Sequence, residues 1–131
     1  ILATSNAMLM ANLRRSVSIW NINSFAGFFL QILGKYERPY QQAMDDFRSE
    51  RNRFVSELQG INYLRIVPSE ANYLLCEVLP PHTPRELAIQ LLKKYNILIK
   101  DCTSKCHAPY IRIAVRDTKD NNCLIEALKT L

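Results

Sequence analysis

The sequence predicts an α/β chain of the α+β kind: a small, mainly antiparallel sheet with helices on one face, preceded by further helices. Three observations carry that prediction. The stretch Tyr110-Ile111-Arg112-Ile113-Ala114-Val115-Arg116 alternates, with Ile111, Ile113 and Val115 on one side and Tyr110, Arg112, Ala114 and Arg116 on the other, the period of a half-buried strand. Upstream, Tyr40, Met44, Phe47, Phe54 and Leu58 recur at helical spacing and trace one apolar face. From residue 63 the order strand, strand, helix, strand, strand, helix builds a sheet covered on one side and open on the other.

The elements follow in order. The opening Ile-Leu-Ala-Thr has the character of a strand end, and with Ile1 rather than methionine at the start the chain is expected to be part of a longer protein. Thr4 or Ser5 can cap a helix in which Leu9, Leu13 and Val17 recur, ending near Ser16 with Arg14 and Arg15 toward its C-terminal end. Trp20-Asn21-Ile22-Asn23-Ser24 reads as a connector, with Asn23 or Ser24 capping an apolar helix over 25–33 that Gly34 closes. Pro39 then stands in the first turn of a long amphipathic helix that runs to Gly60, its outer face carrying Asp45, Arg48, Arg51 and Asn52.

Strands are predicted over 63–67 and 72–78, separated by Pro68-Ser69-Glu70 and ended by Pro80-Pro81. Thr83-Pro84-Arg85-Glu86 is a capping box with proline at the first helical position, and Leu87, Leu91, Leu92 and Tyr95 form the expected buried face. Asn96 stops that helix, 97–100 begins the next strand, and a loop over 101–109 returns the chain to the Tyr110 strand. Asp117 or Thr118 caps a last helix bearing Leu124, Leu128 and Leu131.

Composition narrows the function classes. At 131 residues, 48% hydrophobic and 22% charged, the chain can bury a core and is not of the disordered or fibrous kind. The formal charge of +5 is scattered among acids rather than gathered into a stripe, which argues against a nucleic-acid partner. The longest apolar stretch, 19–33, is interrupted by Asn21, Asn23, Ser24 and Gln31 and falls short of the roughly 20 residues a bilayer span needs, so it reads as a buried helix and no membrane partner is expected. Cys76, Cys102, Cys106 and Cys123 read as reduced thiols of a cytoplasmic protein. The Cys102, Cys106, His107 cluster lacks a fourth ligand at a recognisable spacing, so no metal site is predicted.

Arg112 is the residue that wants an explanation. A guanidinium amid β-branched neighbours is costly unless it meets an anion or a wet cleft. A neighbouring carboxylate would make it structural. A substrate carboxylate or phosphate would make it functional, because a planar fork on a rigid strand suits either.

Four ordered motifs bear on that choice: Trp20-Asn21-Ile22-Asn23-Ser24, Pro68-Ser69-Glu70-Ala71-Asn72-Tyr73, Ile97-Leu98-Ile99-Lys100-Asp101-Cys102 and Tyr110-Ile111-Arg112-Ile113-Ala114-Val115-Arg116. Together they resemble the C-terminal part of pyridoxal-phosphate enzymes of the class I/II aminotransferase family, with the look of histidinol-phosphate aminotransferases and threonine-phosphate decarboxylases. The resemblance implies a fold-type I enzyme in which 1–34 is the end of the large domain with connector helices and 35–131 is the small domain. It implies that Arg112 binds the α-carboxylate of an amino-acid substrate and that Lys100, where relatives commonly carry arginine, lies near a substrate phosphate. Asn72 falls on a segment near the active site, though turn chemistry after Pro68 accounts for it equally.

Pyridoxal phosphate is the implied cofactor, but none of Lys35, Lys93, Lys94, Lys100, Lys105, Lys119 or Lys129 sits in the family's Schiff-base context, so no catalytic or cofactor-binding residue is assigned here and these residues alone are expected to be inactive. The implied whole is a cytoplasmic homodimeric transaminase of amino-acid biosynthesis. A phosphoamino-acid decarboxylase is the alternative within the family, and a non-catalytic binding module the alternative outside it.

Overall fold

Alternating side chains, local caps and one apolar helix face account for most of the architecture. The computed structural model describes residues 4–18 and 22–131. The opening strand remnant (1–3) and the Trp20-Asn21 part of the connector lie outside the described residues. The chain divides into two compact units, residues 1–41 and 42–131.

In the first unit, helix α1 (Ala7–Ser16) is capped not by Thr4 or Ser5 but by Asn6, whose side-chain oxygen accepts from the Leu9 N–H at 3.0 Å. Asn23 caps α2 (Ser24–Ile32), accepting from the Ala26 N–H at 2.8 Å. Gly34 does not close the helix: a 3₁₀ turn (Leu33–Tyr36) carries the chain through it into α3 (Glu37–Gln59). The buried helix expected over 25–33 is exposed, with Phe25 at 86% of its surface open and Phe28, Phe29 and Leu30 above half. Apolar composition dictates that such a helix seeks cover, not that the cover lies among the same residues.

The second unit holds a four-stranded sheet of β1 (Leu64–Val67), β2 (Tyr73–Val78), β3 (Lys100–Asp101) and β4 (Tyr110–Ala114), in the order β1-β2-β4-β3 with every pair antiparallel. Leu74, Cys76 and Val78 of β2 and Ile111 and Ile113 of β4 are almost wholly buried. They join one core with Phe54 and Leu58 of α3, Leu87 and Leu91 of α4 (Pro84–Tyr95), and Leu124, Ile125 and Leu128 of α6 (Thr118–Lys129). This is the covered face. Burial pushes the Cys76 thiol up to about 12, which leaves it a neutral, inert core residue.

Several local rules hold. Thr83 accepts from the Glu86 N–H at 3.3 Å, and its hydroxyl donates to the Glu86 carboxylate at 2.8 Å. Asn96 is left-handed at φ 56°, its N–H reaching the Leu91 and Leu92 carbonyls. Asp117 accepts from the Asp120 N–H to cap α6, and Pro80-Pro81, joined by a cis peptide bond, follows the end of β2.

Others do not. Leu92 and Tyr95 are 46% and 38% exposed, because the covered stripe of α4 is only as wide as Pro84, Leu87 and Leu91. Tyr40 is 54% exposed at the start of α3. Arg51, expected on the outer face of α3, is 6% exposed. It donates to Glu70 at 2.5 Å and to the Ala71 carbonyl at 3.4 Å, and its guanidinium lies 5.9 Å from the Phe47 ring centre. Only two residues of the strand predicted over 97–100 enter the ladder, and the loop over 101–109 contains a short helix, α5 (Thr103–Cys106).

A polar knot ties α3 to α6. The Glu50 carboxylate accepts from Arg53 at 2.7 and 2.9 Å, from Asn121 at 2.8 Å and from the Thr118 hydroxyl at 2.8 Å. Asn121, 2% exposed, also accepts from the Arg116 N–H and donates to the Arg116 carbonyl. The Arg53 hydrogen bonds, helped by those of Asn121 and Thr118 and opposed by burial, hold the Glu50 carboxyl at about 2 against an ordinary 4.5. A depressed carboxyl stabilises the fold fully above its unfolded value and loses that contribution as pH falls toward the folded one. The stability gap between wild-type and Glu50→Gln protein is therefore expected to narrow by about 2 kcal/mol between about pH 6 and about pH 3. Urea melts of both proteins at the two pH values measure it, and a gap that does not change with pH removes Glu50 from the acid response.

Candidate functional site

The uncovered sheet face is where chemistry-bearing residues gather. Alternation sends Arg65, Val67, Tyr73, Leu75, Glu77, Tyr110, Arg112, Ala114 and Lys100 to that side, opposite the core residues of the same strands. Arg112 is exposed near the middle of the sheet, flanked in register by Leu75 on β2 and by Lys100 on β3. Lys100 and Arg112 thus stand side by side, as directly opposed residues of an antiparallel pair do at roughly 5 Å between Cβ atoms. Both border a shallow open cleft of about 570 Å³ that is also lined by Ala88, Leu98, Asp101 and Ala114.

Three arginines illustrate what Arg112 lacks. On the same face Arg65 pairs with Glu77, at the sheet's end Arg116 pairs with Asp120 at 2.5 Å, and Arg51 pairs with Glu70. Among the described residues no carboxylate forms an ion pair with Arg112 or Lys100. Asp101, next to Lys100, is committed elsewhere: it accepts from the Thr103 N–H at 2.8 Å, and hydrogen bonds from the Thr103 side chain and then its backbone keep its carboxyl below the usual range, with the Lys100 charge a smaller contribution. What Arg112 does have is Tyr73, whose ring centre lies 5.3 Å from the guanidinium carbon.

Tyr73 escapes a reading of the sequence, because the contact is diagonal across β2 and β4 and needs the register. The signal available was that Tyr73, Leu75 and Glu77 share the outward parity of Arg112. The site residues predicted from sequence, Arg112 and Lys100, are adjacent; Asn72 is exposed just before β2, where its carbonyl accepts from the Val115 N–H at 3.0 Å and extends the ladder by one bond. Cys102 is buried and Cys106 exposed, and among the described residues no group of three His, Cys, Asp or Glu side chains is placed to hold a metal. Nor, among them, is any helix long and apolar enough to cross a membrane.

A small four-stranded antiparallel sheet with helices on one face is the fold this chain shares with fold-type I pyridoxal-phosphate enzymes. Residues 3–128 match the sequence profile of aminotransferase class I and II, and the chain belongs to that family. It is 29% identical over 129 residues to a CMP-5'-(3-aminopropyl)phosphonate synthase of Streptomyces rubellomurinus, a match that covers 96% of this chain and 20% of that protein. It is 30% identical over 118 residues to an L-serine phosphate decarboxylase of Sulfurospirillum multivorans, covering 86% of this chain and 30% of the relative. The crystal structure of the histidinol-phosphate aminotransferase from Clostridium acetobutylicum superimposes with a TM-score of 0.83 at 28% identity, covering 97% of this chain and 38% of that one. The chain therefore spans about a fifth to two-fifths of the length of these relatives.

Proposed function

We propose that this chain supplies the substrate-anion grip of a pyridoxal-phosphate-dependent transaminase, acting on a phosphorylated, amino-acid-like substrate. The observation that carries the reading is Arg112, set outward on a rigid strand, with no carboxylate of the described residues to neutralise it and Lys100 in register beside it. Arg112 would hold an α-carboxylate by two parallel N–H···O bonds, and in doing so fix which bond at the substrate Cα stands perpendicular to the cofactor ring. Lys100 would meet the phosphate as a point charge, tolerant of angle where a second arginine would be selective. Histidinol phosphate has no carboxylate, so with that substrate the fork would serve the carboxylate of the 2-oxo acid acceptor or the phosphate itself.

When bound, pyridoxal phosphate supplies an electron sink for the bond broken at Cα. The described residues do not offer an enclosed site for it: all seven lysines are exposed, and the cleft that Lys100 borders is shallow and open. The role read for this chain is accordingly confined to binding and orienting substrate, within a whole enzyme proposed to be a cytoplasmic homodimer.

A decarboxylase acting on an O-phosphorylated amino acid is the second reading, supported by the likeness to an L-serine phosphate decarboxylase. Incubating the full-length, cofactor-loaded protein with O-phosphoserine, O-phosphothreonine or histidinol phosphate, with and without 2-oxoglutarate, separates the two. Glutamate formed only when 2-oxoglutarate is present establishes transamination, and carbon dioxide released without it establishes decarboxylation. Neither product from any of the three overturns the proposed substrate class.

A further inference from the structure

We propose that Tyr73 is a positioning residue for Arg112: its ring stacks on the guanidinium and holds the fork aimed at the substrate carboxylate. This rests on the carboxylate-binding reading of Arg112. An arginine reaching from a sheet into open space has several rotatable bonds, and among the described residues no ion pair or side-chain hydrogen bond fixes the rotamer of Arg112. An aromatic ring within about 6 Å of the guanidinium selects the rotamers that lie over it, and stacking occupies a face of the planar group while leaving its edge N–H donors for a bidentate partner.

The local structure is arranged for this contact. Tyr73 pairs in register with Ala114 and Arg112 pairs with Leu75, so the two are diagonal neighbours on one face, a separation that aromatic and long side chains can bridge. The residue directly across from Tyr73 is alanine, which leaves room for the ring to lean toward Arg112 at 5.3 Å. The backbone beneath the ring is held from several sides. The Ser69 hydroxyl donates to the Tyr73 carbonyl at 2.8 Å and accepts from the Ala71 N–H at 3.1 Å, and the Val115 N–H donates to the Asn72 carbonyl. Buried Arg51 clasps the same turn through Glu70 and the Ala71 carbonyl. Buried Arg51 thus fixes the turn from which Tyr73 is launched.

The test uses the full-length, cofactor-loaded enzyme and steady-state kinetics with whichever carboxylate-bearing substrate it turns over. Tyr73→Leu, which keeps an apolar body without the π face, is expected to raise KM about 5-fold with kcat changed less than about 2-fold, the size of an exposed cation–π contact. Tyr73→Phe keeps the ring and is expected to restore KM to within about 2-fold of wild type. Both variants should melt within a few degrees of wild type, since Tyr73 is 40% exposed. If Tyr73→Leu leaves KM unchanged while Arg112→Lys raises it, the grip stands and the positioning role falls. If Tyr73→Phe is as impaired as Tyr73→Leu, the hydroxyl rather than the ring is at work and the inference is overturned. If Arg112→Lys itself leaves KM unchanged, the carboxylate reading has failed and the inference falls with it.

Discussion

Replacing Phe54 by alanine is expected to destabilise the protein by about 3–5 kcal/mol, the range for deleting a buried aromatic ring. Phe54 is wholly buried on α3, where it meets the covered sheet face and the inner stripes of α4 and α6 in one cluster. The loss combines the transfer of the ring out of water with the cavity that rigid neighbours cannot close. The same cluster includes two β-branched residues, Ile111 and Ile113, of a strand that is paired on both sides. Because native domains are stable by only about 5–15 kcal/mol, this single truncation removes about a fifth or more of the margin. Urea denaturation with the slope held common to both proteins reads the difference directly. A loss below about 1 kcal/mol would mean that the core refills around the deletion and that α3 is not the lid its burial pattern describes.

The position of Phe54 was legible because period alone determines it: Phe47, Phe54 and Leu58 recur on one helical stripe, and the alternation of Ile111, Ile113 and Val115 names the sheet face it meets. Caps were legible for the same local reason. Asn96, Asp117 and Thr83 act on backbone groups a few residues away, so the chemistry that selects them is contained in the window that is read. Arg51 was not legible. Its type and its place opposite the aromatic stripe describe a solvated residue, and only the arrival of Glu70 and the Ala71 carbonyl, about twenty residues later in the chain, makes burial tolerable. The Glu50 knot is hidden for a stronger reason, since Thr118 and Asn121 come from the last helix. The width of the α4 stripe was over-read because a run of leucines fits several faces, and the neighbours choose which face is covered.

The candidate site shows the same division. Parity put Arg112 on the open face, and the family motifs drew attention to Lys100. That the two are direct cross-strand neighbours is a property of register, which a two-residue strand and a loop containing a helical turn decide. The contact of Tyr73 with Arg112 depends on register a second time, and no spacing within either strand announces it.

Arg112→Lys is expected to lower kcat/KM of the full-length enzyme for a carboxylate-bearing substrate by roughly 10- to 150-fold, corresponding to about 1.5–3 kcal/mol for a charge-assisted hydrogen bond. Lysine preserves the charge and so preserves long-range attraction, while it loses the planar fork and its stacking partner; the defect should therefore lie in capture and alignment rather than in stability. Exposure of Arg112 and the absence of an ion pair among the described residues predict less than about 1 kcal/mol of change in folding free energy. Arg65→Lys is the matched comparison: it lies on the same sheet face, already engaged by Glu77, and its replacement should leave kcat/KM within about 2-fold of wild type. Neither variant changes the charge of the face, so equal losses in both would mean that the Arg112 fork is not singled out, whereas loss confined to Arg112→Lys identifies a single directed fork. Unchanged kinetics in Arg112→Lys would make the residue structural, and the cleft beside Lys100 would then need another account.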